Sequence, residues 1–351
     1  MKKKLTKIFA LVLSFAMMLS LAACGGSSSS DDAAADGEMK SYNWKLSHEE
    51  NDGELEDIFA DYFAERLKEN SGGKINLQVF TVGTLGDSSD LVELTKTGTC
   101  EFGISNPGAA ATIIPEANIF SLHFLFPTDE EKFDLLVESD SKGFAKLNEL
   151  YAAQGLEVLQ WGAELPNAWT ANKPITSPAD FSGVKFRTMA ASVISDSYKA
   201  YGANALAIPY TELYSALQLG MADGQVNPFN GIYGSGLGEV QDYMMLAYPD
   251  VFVFTMAAND DFWAGLPDDV KAIVEQSITE AYELYKEKRA EEEVRWLNEL
   301  SEMMEVIEYT DEMREPFKAI AEQNRSIYTD LAGDSGADLL DMFMEDMAAL
   351  G

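Results

Sequence analysis

Apolar residues recur along most of this chain with a period of either two or about 3.6, and the switches between the two lay out its elements. Tyr42, Trp44 and Leu46 alternate with polar neighbours and predict a first strand. Leu55, Ile58, Phe59, Tyr62, Phe63 and Leu67 fall on one helical face, and Ser71-Gly72-Gly73 stops that helix. Ile75, Leu77 and Val79 alternate again, a second helix built on Leu91 and Leu94 ends at Gly98, and Phe102 and Ile104 make a third strand. The β-α-β-α-β order predicts a parallel sheet with helices on its faces. In such a sheet ligands sit outside the carboxyl ends of the strands. The polar residues just past those ends are Ser47 to Asn51, including His48, Glu49 and Glu50, then Leu85-Gly86-Asp87, then Ser105-Asn106.

Beyond the third strand, residues 129–154 read as helix, with Phe133, Leu136 and Val137 on one face, and Leu156 to Trp161 read as strand. After the turn Pro178-Ala179-Asp180, Val184-Lys185-Phe186-Arg187 alternates, so Arg187 faces away from the side that Phe186 buries. Two polar turns are expected to reach a cleft: Pro209-Tyr210-Thr211-Glu212, and Asp223-Gly224-Gln225 with Asn227-Pro228. Thr211 is placed to cap a helix in which Leu213, Leu217 and Met221 share a face. Gly234-Ser235-Gly236-Leu237-Gly238 lacks the strand-turn-helix setting of a nucleotide loop and reads as a flexible connector. Val251 to Phe254 is a strand. From Pro267 to about Leu300 the helical period persists through Val270, Ile273, Val274, Ile278, Ala281, Leu284 and Tyr285. Such a helix spans about 50 Å at 1.5 Å per residue, longer than one lobe needs. Segments near 312–330 and 335–349 are helical.

The N-terminus changes where the protein is expected to reside. Lys2-Lys3-Lys4 followed by the apolar run Ile8 to Leu21 is the pattern of a secretory signal, here residues 1–23, too short and wrongly flanked for a spanning helix. Leu21-Ala22-Ala23-Cys24 resembles the bacterial lipobox, which implies cleavage before Cys24 and lipidation of its thiol. Residues 24–39, of Gly, Ser, Asp and Ala in the main, predict a flexible tether, and the folded part begins near Lys40.

The formal net charge is −34. Loss of the leader removes Lys2, Lys3, Lys4 and Lys7 and no acid, leaving 21 basic residues against 59 acidic ones and a charge of −38. Nucleic-acid binding is excluded by that field, which reads as a solubility feature. Cys100 is the second of two cysteines and reads as a small buried residue, so no disulfide framework exists. His48 and His123 are the only histidines, no Cys-His cluster can form, and neither a metal nor a cofactor is expected. No Gly-x-Ser-x-Gly or Walker sequence occurs. Carboxylates are plentiful, but none forms a general-acid pair by spacing, so no enzyme is expected.

The stretch Phe181 to Ile232 carries the sharpest signal. Gly183, Lys185 and Arg187, then Gly202-Ala203, then Glu212, Tyr214, Ala216-Leu217-Gln218 and Gly220, then Asp223-Gly224-Gln225 and Asn227 resemble, in order and spacing, the solute-binding subunit of TRAP (tripartite ATP-independent periplasmic) transporters. Ser71-Gly72-Gly73-Lys74-Ile75, Leu85-Gly86-Asp87, Ile119-Phe120 through Leu125-Phe126, and Asp260 to Trp263 before Leu266-Pro267 extend the resemblance. It implies an α/β, two-lobed, periplasmic-binding-protein-like fold with the long helix as a spine across both lobes. Lobe 1 is then expected to be 40–164 with about 253–292, and lobe 2 to be 165–252 with about 293–351. The resemblance also places Ser47, Asp87 and Asn106 toward the ligand.

The function expected is an extracytoplasmic receptor, lipid-anchored at the cell membrane through Cys24 and monomeric, that closes on a small organic acid and delivers it to TRAP permease subunits. Arg187 should grip the ligand carboxylate through two parallel hydrogen bonds, with Asn227 donating beside it and Tyr210 stacking on or bonding the ligand body. In many relatives an arginine lies a few residues before the position of Asn172; Pro166-Asn167-Ala168 stands there instead, which makes Asn167 a neutral substitute. A family Glu that orients the arginine is replaced by Val226, and Glu212 is the candidate stand-in. Trp169 has two readings, stacking on ligand or packing at a hinge. Phe120, Phe124 and Phe126 form either core or ligand wall. With one arginine and with Asp87, Glu49, Glu50 and Asn106 able to accept from hydroxyls, a sugar acid or other hydroxylated monocarboxylate is favoured. The alternatives are a C4-dicarboxylate or keto-acid receptor and a surface lipoprotein enzyme.

Overall fold

A computed structural model of the chain describes residues 39–350, so the signal segment, the lipidation candidate Cys24 and nearly all of the tether lie outside the described residues. The elements run β1 (Tyr42–Ser47), α1 (Leu55–Asn70), β2 (Ile75–Phe80), α2 (Ser88–Lys96), β3 (Phe102–Ser105), α3 (Pro107–Ala110), α4 (Glu130–Glu138), α5 (Lys142–Ala152) and β4 (Leu156–Pro166). Next come β5 (Ala168–Ala171), β6 (Lys185–Thr188), α6 (Ser192–Tyr201), β7 (Asn204–Ala207), α7 (Leu213–Gln218), β8 (Gly224–Asn227), α8 (Phe229–Gly234) and β9 (Tyr243–Leu246). The chain closes with β10 (Val251–Asn259), α9 (Asp260–Gly265), α10 (Asp268–Met303), β11 (Glu305–Glu308), α11 (Asp311–Gln323) and α12 (Ser326–Leu350).

Two sheets organise two lobes. The first has the order β2-β1-β3-β10-β4 and the second β11-β9-β5-β8-β6-β7. In the first, β1, β2 and β3 are parallel, as their βαβ spacing predicts, but β10 enters antiparallel between β3 and β4. The sheet is therefore mixed and not purely parallel. The cause is long-range: β10 returns from the second lobe after β9, and a returning strand has no helical crossover to set its direction.

Several local expectations give way to tertiary demands. The helix expected over 129–154 is two helices, because the Ser139 hydroxyl turns back to the Leu136 carbonyl at 2.7 Å and Ser141 caps α5 by accepting from Phe144 N. Asp223-Gly224-Gln225 is not a turn, since Gly224 opens the central strand β8. A Cβ at Gly224 would lie 2.6 Å from the Thr170 carbonyl, so glycine lets β5 and β8 close together. Thr211 does not cap a helix: it sits in a 3-10 turn, Tyr210–Glu212, ahead of α7. Leu213 and Leu217 are buried as expected, but α7 ends at Gln218 and Met221 is exposed. The glycine-rich connector is a helical passage, with α8 ending in it and Gly236 in the left-handed region at φ 66°.

The chain crosses between the sheets at Asn167, between β9 and β10, and along α10. At the strand crossing, Asn167 N donates to the Asp250 carbonyl at 2.9 Å and Phe124 N to the Pro249 carbonyl at 2.6 Å. Phe124 and Tyr248 carry φ of 56° and 50°, and no other non-glycine residue described has a positive φ. Backbone strain is thus concentrated at the hinge. Helix α10 is 36 residues long and packs on α1 and β4 of the first lobe and on α8 and β11 of the second. Arg289 pins it through Asp134 (2.7 Å) and the Ala163 carbonyl (2.7 Å).

Phe120, Phe126, Phe133, Phe144 and Trp161 fill one core with Leu339, Leu340 and Phe343 of α12. The last helix, expected with lobe 2, packs mainly on α4, α5 and the 3-10 segment Pro115–Ser121 and also touches α6. Its apolar face meets the aromatic cluster there, and Asp346 accepts from Ser141 Oγ and Gly143 N at 2.7 and 2.9 Å.

Candidate functional site

The carboxyl ends of β6 and β8 point Arg187 and Asn227 into a cavity of about 340 Å³ between the lobes. The first lobe lines it with Glu49, Asp87, Asn106 and Phe120, and the hinge lines it with Asn167 and Asp250.

Arg187 is 3 % exposed, and its Nε donates to the Ile208 carbonyl at 2.8 Å. No carboxylate pairs with it among the described residues. Burial lowers its pKa to about 10, with Tyr210 nearby acting in the opposite direction. The orienting group is therefore a backbone carbonyl and not Glu212, which is solvent-exposed. A buried guanidinium without a counter-ion is costly, and its remaining N–H donors call for an anion. Asn227 gives one N–H to Gln225 Oε1, and Gln225 in turn donates to Thr170 Oγ1 at 3.0 Å. An amide carries two such hydrogens, so one remains for a ligand.

Tyr210 lines the cavity and its hydroxyl bridges the lobes, donating to Glu54 Oε1 at 2.9 Å. Asn230 of α8 spans the same gap, donating to Glu50 Oε1 (2.6 Å) and Glu164 Oε2 (2.9 Å). Thr211 Oγ1 donates to Asp87 Oδ1 at 3.1 Å. These contacts hold the lobes together around the cavity. They engage a cluster of buried carboxyls, Glu49, Glu50, Glu54, Glu56 and Glu164. Burial pushes Glu49 and Glu54 up to about 7, against hydrogen bonds from Ser88 and Asn106 to the first and from Asn51 and Tyr210 to the second. Burial and neighbouring acids raise Glu50, Glu56 and Glu164 as well.

The other candidates divide. Asn106 lines the cavity; its Oδ1 caps α3 by accepting from Gly108 N (2.7 Å), its Nδ2 gives one hydrogen to the Val253 carbonyl (2.9 Å) and keeps the other, and its backbone N–H goes to Glu49 Oε1. Asn167 lines the cavity and donates to Asp250 Oδ1 at 2.9 Å. Ser47 does not reach the cavity, being fully buried at the end of β1. Trp169 does not line the cavity. It is fully buried among Phe181, Tyr201, Tyr309 and Phe317, and its Nε1 donates to the Tyr198 hydroxyl at 2.8 Å. Side chains alternate along a strand, and its neighbour Thr170 takes the polar face. Phe120 serves both readings, in the core and at the cavity wall, whereas Phe126 belongs to the core. Asp250, Ser88 and Ile208 were not anticipated. Asp250 closes a Tyr-Pro-Asp segment whose turn chemistry was the one available signal.

Residues 46–330 match the family model described as "Bacterial extracellular solute-binding protein, family 7". The chain is 35 % identical over 314 residues to the ectoine-binding periplasmic protein TeaA of Halomonas elongata, covering 88 % of this chain and 91 % of that one. The solved structure of the periplasmic ectoine-binding protein of the TeaABC TRAP transporter from the same organism superposes with a TM-score of 0.83, covering 88 % of this chain and 99 % of the other. The sugar acid binding protein DctPAm of Advenella mimigardefordensis, in complex with galactonate, gives 0.81 at 26 % identity over 88 % of this chain and 99 % of its own.

Proposed function

The chain belongs to family 7 of the bacterial extracellular solute-binding proteins, the TRAP solute receptors, and from that premise we propose that it captures a small monocarboxylate whose far end carries hydrogen-bond donors. One observation carries this reading. Among the described residues the cavity holds a single buried arginine with no counter-ion, while its other ionisable walls are carboxyls and the Tyr210 phenol. A ligand carboxylate on Arg187 supplies the missing charge bidentately, Asn227 donates beside it, and Tyr210 closes over the ligand body. The acidic remainder of the wall accepts from hydroxyls or cationic N–H groups and repels a second carboxylate. Hydroxylated sugar acids and ectoine-like zwitterions both meet that description; a C4-dicarboxylate does not. The relatives described above are binding proteins, which favours a receptor over a surface enzyme.

In this reading Asp87, Asn106 and Glu49 shape the first-lobe wall. Ligand contact with both lobes favours the closed state, which docks on TRAP permease subunits. The receptor acts as a monomer, and the two acyl chains of a diacylglyceryl group on Cys24 would hold it at the extracytoplasmic face of the membrane.

The test is a thermal-shift titration of the wild-type protein and Arg187→Ala with ectoine, galactonate and succinate. A ligand that binds only the native state raises the melting temperature with its concentration. Ectoine or galactonate should shift the wild type and leave Arg187→Ala unmoved. Equal shifts in the two proteins would sink the assignment of Arg187.

A further inference from the structure

Four residues stand in order along the cavity edge of the second sheet. The strand order β6-β8-β5-β9 sets Arg187, Asn227, Asn167 and, just past β9, Asp250 side by side. Neighbouring strands lie about 4.8 Å apart, so β6 and β5 are separated by roughly 10 Å, about the length of a small ring or a six-carbon acid with its contacts.

Asp250 is the counterpart of Arg187. It is 6 % exposed, it lines the cavity, and no cation pairs with it among the described residues. The one hydrogen bond to its side chain comes from Asn167 Nδ2. Two phenols lie nearby: Tyr198 accepts from Trp169 Nε1, and Tyr201 bonds His123 Nδ1 at 2.8 Å. Because Asn167 turns its amide nitrogen to Asp250, its Oδ1 is left buried without a partner. This pole of the cavity therefore offers the Asp250 carboxyl and the Asn167 Oδ1 as acceptors, beside the one amide hydrogen that Asn167 has left. Burial pushes the Asp250 carboxyl up to about 7, the Asn167 bond opposing, so a cation brought against it favours the ionised form.

We propose that Asp250, positioned by Asn167, is the specificity-determining residue for the end of the solute opposite its carboxylate, selecting a ligand that brings a cationic or N–H donor group there and rejecting one that brings a second carboxylate. The inference rests on the reading that Arg187 holds the carboxylate. A buried base and a buried acid, neither with a charged partner among the described residues and both lining one cavity, fit a zwitterion, whose cationic end ionises the acid as it binds. A dicarboxylate would satisfy Arg187 and face Asp250 with like charge.

The experiment is isothermal titration calorimetry of the full-length wild type, Asp250→Asn, Asn167→Leu and Arg187→Ala against ectoine, galactonate and succinate. The wild type should bind ectoine more tightly than succinate. Asp250→Asn should lower ectoine affinity tenfold or more while succinate affinity holds or rises, and Asn167→Leu should shift the same ratio less. Arg187→Ala should lose all three. If Asp250→Asn leaves the ectoine-to-succinate ratio within threefold of wild type while Arg187→Ala abolishes binding, the inference is overturned and the carboxylate reading stands. An equal fall for all three ligands in Asp250→Asn, marking a structural role, overturns it too, as does a wild type that prefers succinate. Should Asp250→Asn lower the melting temperature, Asp250→Ser is read for the same ratio. Unchanged binding in Arg187→Ala, or no binding of any probe by the wild type, overturns the carboxylate reading and the inference with it.

Discussion

Arg187, the proposed carboxylate residue, works against the stability of the ligand-free fold. Its guanidinium is buried with one backbone carbonyl as partner and no acid. Replacing an uncompensated buried charge by a flexible apolar side chain removes a desolvation cost. Arg187→Met should therefore raise the melting temperature of the ligand-free protein while abolishing the ligand-induced rise, and calorimetry with and without galactonate or ectoine reads both. A lower melting temperature in the variant would show that the cavity compensates the charge. Trp169 is the opposite case, with its whole indole in a core of Phe181, Phe317 and Tyr309. Trp169→Ala should cost about 3–5 kcal/mol in urea unfolding. The ratio of affinities for two ligands should stay unchanged, and an altered ratio would bring Trp169 back to the site.

At the scale of elements, the contact between α8 and the start of α1 depends on a missing side chain. A Cβ on Gly234 would sit 2.1 Å from Glu54 Oε1, the atom that receives the Tyr210 hydroxyl. Glu54 is also tied to Asn51 through both its oxygens, so its carboxyl cannot simply swing aside. Gly234→Ala should break the Tyr210–Glu54 bridge, lower stability by about 1–3 kcal/mol and weaken ligand affinity. Full wild-type affinity in that variant would show that the bridge does not hold the lobes. The same scale explains why helix periods were read well and some boundaries were not. Repetition of Val270, Val274, Ile278, Ala281 and Tyr285 marks α10 from within. The break at 139–141 and the strand at Gly224 depend on neighbours that local pattern does not contain.

At the scale of the molecule, the buried acids set how stability depends on pH. Glu49, Glu54, Asp250 and Glu130 are raised to about 7, and Glu50, Glu56 and Glu164 are raised too. A carboxyl with a raised folded-state pKa binds its proton more tightly in the fold than in the unfolded chain. Its contribution is complete below the ordinary carboxyl value and is lost as pH climbs through the folded value. The ligand-free melting temperature should thus fall between about pH 4.5 and 7. Asp57 and Asp180 are lowered and act in the opposite sense only at more acid pH. A melting temperature that rises from pH 5 to 8 would refute this account.

What the sequence determined by itself is what short-range rules encode: the β-α-β-α-β opening, the long helix, and the family through the ordered residues from Gly183 to Asn227. Arg187, Asn227 and Tyr210 were legible as candidates because they sit in that ordered stretch, and the structure brings all three to one cavity. Tertiary structure alone decided the antiparallel entry of β10, the return of α12 to the first lobe, the burial of Trp169 and Ser47, and the place of Asp250 in the cavity that Arg187 lines. Each of these rests on contacts between residues far apart in the chain. Periodicity and turn chemistry report only on a residue's neighbours, whereas a cleft's electrostatics come from groups that meet once both lobes have packed.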